Sequence, residues 1–409
     1  MTSDSSPPVL PGELSDKIID FLADDWRALA VCALVCSAWR ARAGYHLSRG
    51  VILTPTTQAY QRDIIDFMRI FVPGSPICDY ITALTIGQEW KPTRSNLGMY
   101  LPVDDLDFGP FRNLRSLTLT HLSISSEVRF RELYTSAQVL EELTVYDVYL
   151  SPESEEVNVT SRSRQGNPCP PLRLLRIGYS LPQGRVSDTI RDDLRLAPVG
   201  TTLHTLHLHL PTAEGWQETL ACLQLSLRNL RIHVWPRRTV QRVVWEPPEL
   251  YTAIAGCRYL RRLTLHVSPG SQYPSAEFPA LCNSIAQWLA PPACLFAATL
   301  EKFTLCLCIR LKDLAPRSIE TVAVVGRALR REAFPSLTHV RISIHDGFSA
   351  LLRSPSFESR YKKKERMYLD ELTAALREAQ GDTAQVDVGI PSTIVMRDVA
   401  PCLPSSYAT

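Results

Sequence analysis

The residues best equipped for chemistry in this sequence are histidines and cysteines at close spacing. His204, His207 and His209 follow one another closely, and a single residue separates Cys306 from Cys308. On a strand, alternate residues share a face, so His207 and His209 could approach one ion together. A structural zinc site needs four ligands, and a Cys-x-x-Cys pair matched by a second such pair is missing. The sequence therefore predicts no metal, and it indicates no other cofactor. Hydrolytic and nucleotide chemistry also lack their signatures, because no Gly-x-Ser-x-Gly turn, His-Glu-x-x-His helix, P-loop or Gly-x-Gly-x-x-Gly turn occurs. The expectation is a protein without a catalytic centre. An α/β enzyme working at the histidine-rich strand edge is the remote alternative.

Those histidines lie in a repeating pattern: an apolar residue, two free positions, then apolar-x-apolar. It appears as Ile81-Thr-Ala-Leu84-Thr-Ile86, as Leu203-His-Thr-Leu206-His-Leu208 and as Leu260-Arg-Arg-Leu263-Thr-Leu265. Units start at positions 81, 114, 140, 172, 203, 227, 260, 300 and 337, so successive units lie 24 to 40 residues apart. Helical stripes fall between them. Trp216, Leu220 and Leu223 make one, Leu281, Ile285, Trp288 and Leu289 make another, and Pro248 can open a third through Leu250 and Ile254. One strand and one crossover per unit predict an α/β fold, an irregular solenoid with a parallel sheet over residues 51–390. A doubly wound α/β sheet is the competing architecture.

The repeat phase also predicts which residues face outward. The position between the last two apolar residues gives Thr85, Thr118, Thr144, Arg176, His207, Arg231, Thr264, Thr304 and Arg341. The next outward position gives Gly87, Thr120, Tyr146, Gly178, His209, His233, His266, Cys306 and Ser343. Arg176, His207, His209, Arg231, His233 and His266 should then form one patch on neighbouring strands about 4.8 Å apart. Such a patch suits an acidic or phosphorylated protein target. Arginine supplies bidentate bonds, and histidine a charge that rises below about pH 6.5.

The first fifty residues differ in kind. Leu14, Ile18, Phe21 and Leu22 recur at i, i+4, i+7 and i+8, which is one face of a helix starting at Pro11. Asp24 or Asp25 can cap a second helix carrying Leu29, Cys32 and Ala33. Val35, Ala38, Trp39 and Arg42 mark a third, with Gly44 as its stop. So small a module buries little surface, so its apolar stripe should meet another surface, either on a partner or on the same chain.

Residues 9–50 resemble the F-box, whose pattern is Leu-Pro-x-Glu-Leu, an Ile four residues on, then Leu, a later Leu, and Val-Cys-x-x-Trp. This chain supplies Leu10-Pro11, Glu13-Leu14, Ile18, Leu22, Leu29, Val35-Cys36 and Trp39. The run from Cys36-Ser-Ala-Trp39 through Tyr45-His46-Leu47 is similar to fungal F-box proteins. The resemblance implies binding to a Skp-family adaptor and, through it, to a cullin–RING ubiquitin ligase. Its adaptor contacts would be Leu10, Pro11, Leu14, Ile18, Leu22, Leu29, Val35, Cys36 and Trp39. The repeats look like degenerate leucine-rich repeats, although the asparagine that should follow the strand is missing from most units. Together these resemblances imply the substrate-recognition subunit of an SCF-type ligase. A non-ligase interaction scaffold is the alternative.

Composition narrows the classes. Among 409 residues, 44 are Lys or Arg and 42 are Asp or Glu, which leaves a formal net charge of +2 and no general argument for nucleic-acid binding. Hydrophobic residues make up 45%, enough for a large core, while 18 glycines against 30 prolines suit a glycine-lined nucleotide fold poorly. The eleven cysteines are odd in number and dispersed, and Cys32, Cys222, Cys257 and Cys282 lie in apolar segments that predict buried, unpaired thiols. The start, MTSDSSPP, lacks the basic and apolar regions of a secretory signal, and the apolar run 28–36 falls short of the roughly 18–20 residues that span a bilayer. The chain is thus read as soluble, without a membrane partner, and cytoplasmic and/or nuclear. Residues 1–8 and 391–409 are read as tails, 151–170 as a polar loop, and 359–379 as a charged helix with Leu369, Leu372 and Leu376 inward.

Overall fold

The structure is a computed structural model that describes residues 11–23, 25–53, 76–87, 101–103, 106–150, 169–178, 185–196, 202–209, 216–234, 237–238, 243–244, 248–267, 278–290, 294–308, 316–330, 332–345 and 385–389, with single positions between 367 and 377. The expected tails and the 151–168 part of the polar loop lie outside these residues, as do Leu369, Leu372 and Leu376. Positions 367, 370, 373, 374 and 377 are helical. The chain forms two compact units, Met1–Leu172 and Arg173–Thr409. The helical module of residues 9–50 expected from the sequence falls within the first of them.

The first unit opens with three helices, α1 (Gly12–Phe21), α2 (Trp26–Val35) and α3 (Ser37–Arg49). Pro11 precedes α1 as its N-cap, and Asp25 caps α2 by accepting hydrogen bonds from the Arg27 and Ala28 amides, each at 3.1 Å. Gly44 does not stop α3, which runs five residues further to Arg49. A single glycine inside a helix costs only about 1 kcal/mol, and contacts of α3 with both other helices outweigh it. Strand β1 (Gly50–Leu53) follows without a linker and pairs in parallel with β2 (Ala83–Gly87), so the helical module is continuous with a sheet.

The rest of this unit comprises β3 (Leu101–Pro102), β4 (Ser116–Thr120), β5 (Leu122–Ile124), α4 (Glu127–Ser136), β6 (Glu142–Tyr146) and β7 (Tyr149–Leu150). Strands β2, β4 and β6 continue the parallel sheet, while β3, β5 and β7 form a second parallel ribbon.

The second unit alternates strand and helix: β8 (Leu174–Ile177), α5 (Arg185–Leu196), β9 (Thr205–Leu208), α6 (Trp216–Cys222) and β10 (Asn229–Val234). A short antiparallel pair, β11 (Arg237–Arg238) with β12 (Val243–Val244), precedes α7 (Pro248–Ala255) and β13 (Arg262–Val267). Then come α8 (Phe278–Leu289), β14 (Lys302–Cys308), α9 (Pro316–Ala328), β15 (His339–His345) and β16 (Gln385–Gly389). Strands β8, β9, β10, β13, β14, β15 and β16 pair side by side in chain order, all parallel.

This α/β architecture follows from the apolar spacing. In every unit of the pattern both strand positions are buried, for example Leu84 with Ile86, Leu206 with Leu208 and Phe303 with Leu305. The leading residue, such as Leu114, Leu203 or Leu260, is buried as well. The register aligns these positions across strands, with Leu230 opposite Leu263, then Phe303, then Val340. One carbonyl per unit accepts from two successive amides of the next. Thr82 O receives Arg115 and Ser116, Arg228 O receives Arg261 and Arg262, and Glu301 O receives Thr338 and His339. Among the described residues the strand order within each unit never reverses, so neither shows there the switch point that defines a doubly wound sheet. Successive crossover helices touch one another, α6 with α7, α7 with α8 and α8 with α9.

Candidate interaction sites

The helical module has a very small core: Ile19, Leu29, Cys32 and Ala43, with Leu22, Ala33, Trp39 and Leu47 packed against it. Asp20 ties α1 to α3. It accepts Arg42 Nε and Nη2 in a fork, each at 2.6 Å, and lies 2.7 Å from His46 Nε2. Bonding to Arg42, then to His46, holds its carboxyl well below the usual range, at about 2.

With Ser15 and Ile19 facing inward on α1, its apolar stripe faces out. Leu14 and Ile18 are nearly half exposed and Phe21 is 91% exposed. On α2, Val31, Leu34 and Val35 are also exposed, Leu34 to 80%. Exposed apolar side chains this concentrated mark an interaction surface.

The residues assigned to adaptor contact by resemblance therefore fall into groups. Pro11, Leu14, Ile18, Val35 and Cys36 are exposed. Leu22 and Trp39 are half-buried against the module's own core, and Leu29 is inside it, so Leu29 is a packing residue rather than a contact. Leu10 lies outside the described residues. Phe21, Val31 and Leu34 were not among the expected contacts. Phe21 lay on the stripe already, and the pattern of buried against exposed positions in α2 would have pointed to the other two.

In the second unit the strand register brings Arg176, His207 and Arg231 side by side on β8, β9 and β10. Arg176 is exposed, and His207 and Arg231 are half-buried. The next outward position behaves differently. His233 and His266 are each only 4% exposed, and Cys306 and Ser343 are also buried. The His209 and His233 rings meet edge-on at 3.8 Å, and His233 stacks on His266 at 4.3 Å between centroids. Arg231 Nε donates to His266 Nε2 at 2.9 Å, which makes that nitrogen an acceptor and His266 a neutral imidazole protonated on Nδ1.

The sequence reading treated this column as open surface. The stacked rings instead cover each other, and Arg231 reaches across to them. Nor do His207 and His209 gain charge near pH 6.5. Burial, then the nearby Arg176 and Arg231, push His207 down to about 4, and burial followed by Arg231 does the same to His209. The charge of the patch thus comes from its arginines, with His207 a neutral hydrogen-bonding group between them.

The register reveals a further outward position that the sequence reading did not use, the residue just before the second apolar one. There Asn229, Arg262, Lys302 and His339 align on β10, β13, β14 and β15. Arg262 and Lys302 are exposed. With Arg176, Arg231 and Arg341 they make the outward face of β8–β15 cationic, its outward positions holding no Asp or Glu, while on the next strand, β16, the register sets Asp387 level with Arg341. In the first unit the corresponding positions of the repeat hold Ser116, Thr85, Thr118, Thr144 and Glu142.

Elsewhere, Cys32, Cys257 and Cys282 are buried and unpaired as expected, whereas Cys222 is exposed at the end of α6. Burial pushes the Cys257 and Cys282 thiols up to about 12, which removes them as nucleophiles. Among the described residues no group of three or more His, Cys, Asp or Glu is placed to hold a metal ion. No described helix is long and apolar enough to cross a membrane. Compared with protein-family models and with curated proteins, the chain matches none.

Proposed function

We propose that the chain is the substrate-recognition subunit of an SCF-type ubiquitin ligase. Its helical module docks on a Skp-family adaptor and its parallel sheet presents a target protein. The observation that carries this reading is the double apolar stripe of α1 and α2, with Phe21 and Leu34 almost fully exposed on a module whose core holds few side chains. A partner covering these residues would remove apolar surface from water at about 25 cal/mol per Å². The F-box-like order from Pro11 to Trp39 names the partner class. Catalysis in such an assembly is proximity between a bound target and a ligase, so no reactive centre is required here.

Co-expression with a Skp-family adaptor and recovery of the complex tests the reading. Ile18→Asp combined with Leu34→Asp should abolish recovery, since each places a charge where an apolar contact is needed, and both positions are exposed enough to leave the fold intact by circular dichroism. Trp39→Ala should also reduce recovery, but with loss of helical signal, because Trp39 packs on the module core. A wild-type chain that recovers no adaptor would favour a non-ligase scaffold.

A further inference from the structure

Resting on the reading of the sheet as the target-presenting part, we infer that the outward face of β8–β15 binds an extended acidic segment laid across the strands. Arg176 stands on β8, Arg231 on β10, Arg262 on β13, Lys302 on β14 and Arg341 on β15. They occupy two adjacent outward rows, Arg176, Arg231 and Arg341 in one and Arg262 and Lys302 two residues earlier in the other. Neighbouring strands are about 4.8 Å apart, so from β8 to β15 the two rows span roughly 24 Å, the length of about seven extended residues. Alternate side chains of such a segment face the sheet about every 6.6 Å. The cations stand roughly 5–10 Å apart across the strands, so the long Arg and Lys side chains can reach carboxylates or phosphates spaced at that step.

Three features select an acidic peptide over other anions. The net charge of the whole chain is only +2, so the cations are concentrated here rather than spread as for a general polyanion binder. The outward positions of β8–β15 offer no Phe, Tyr or Trp, and single-stranded nucleic acid needs such stacking platforms. Between the charges stand His207, Thr264 and Thr304, all half-buried neutral hydrogen-bonding groups suited to the backbone of a peptide. The shared chemistry is an anionic oxygen on alternate side chains, supplied either by Asp and Glu or by phosphorylated Ser and Thr.

Fluorescence anisotropy with the full chain separates these sources. The probes are labelled peptides alternating Ser with Glu, with phosphoserine, or with Gln, and a single-stranded RNA oligonucleotide. The glutamate or the phosphoserine peptide, or both, should bind, and the one that binds names the source. The glutamine peptide should not. Arg176→Ala with Arg262→Ala and Arg341→Ala, all exposed positions, should weaken acidic-peptide binding about ten-fold or more. Circular dichroism and adaptor recovery should stay unchanged. The inference is overturned if neither acidic peptide binds, if the glutamine peptide binds equally, or if the triple variant keeps wild-type affinity. Tighter binding of RNA, lost in the triple variant, would overturn it in favour of a nucleic acid. Adaptor recovery is scored separately, so failure of the ligase reading leaves a distinct signature: acidic-peptide binding without adaptor.

Discussion

At the scale of single residues, polar groups in this protein do structural work before any recognition. Asp20 lies near the C-terminal end of α1, where a helix dipole disfavours negative charge, and the fork from Arg42 with the adjacent His46 more than offsets that. Its carboxyl is depressed from 3.8 to about 2 in the fold. A depressed carboxylate contributes stability that is complete above its unfolded value and is lost as pH falls through its folded one. The contribution of Asp20 should therefore be present above about pH 4 and vanish between about pH 4 and 2. Asp20→Asn should raise hydrogen-exchange rates of α2 and α3 amides at neutral pH and flatten their acid dependence in that window. Unchanged exchange at pH 7 would mean that the α1–α3 tie carries no stability.

At the scale of elements, the same spacing that made strands legible also fixed where substitutions will hurt. Phe303 on β14 is fully buried between Leu263 on β13 and Val340 on β15. Phe303→Ala should lower stability by about 3–5 kcal/mol, read as a fall in denaturant midpoint with unchanged slope. Gly87 ends β2 at φ +144, and a Cβ there would sit 1.9 Å from the Thr120 carbonyl oxygen of β4. Only glycine allows that approach.

The nine apolar repeats anticipated β2, β4, β6, β8, β9, β10, β13, β14 and β15, because buried alternation leaves a period-two mark in the sequence. The pattern missed β1 and β16, which are the first strand of one unit and the last of the other. Neither Gly50–Leu53 nor Gln385–Gly389 carries the leading apolar residue. The short ribbon β3, β5 and β7 escaped too, since two or three residues carry no period. The α1 stripe was legible as apolar, but its outward direction was not. That depends on Ser15 and Ile19 taking the inner side, a choice made by contact with α3 rather than by hydropathy.

At the scale of the whole molecule, the burial of the histidines changes how the sheet of the second unit should respond to acid. Sequence phase put Arg176, His207 and Arg231 in one row, and the register bears that out. Sequence phase cannot show that the next row, His209, His233 and His266, is folded into a stack, because stacking depends on rotamers and on neighbours distant in the chain. Two measurements on the same protein should therefore diverge. Affinity for the glutamate peptide, whose carboxylates stay ionised over this range, should stay flat from about pH 8 to 6, because the arginines remain charged and His207 and His209 remain neutral down to about 4. Stability should instead fall over a lower range. An unfolded histidine takes its proton near 6.5 and these folded ones near 4, so the unfolded chain binds more protons in between. Each unit of that gap is worth roughly 1.4 kcal/mol per group at full burial, and less here, where His207 and His209 are both half-buried. The denaturant midpoint should thus decline from about pH 6.5 toward 4, and His207→Asn should remove part of the slope while sparing its neighbours. An affinity that rises steeply as pH drops through 6.5 would place protons on the histidines of the folded protein. That outcome would return them to the role of charged contacts and contradict the neutral His266 required by the Arg231 hydrogen bond.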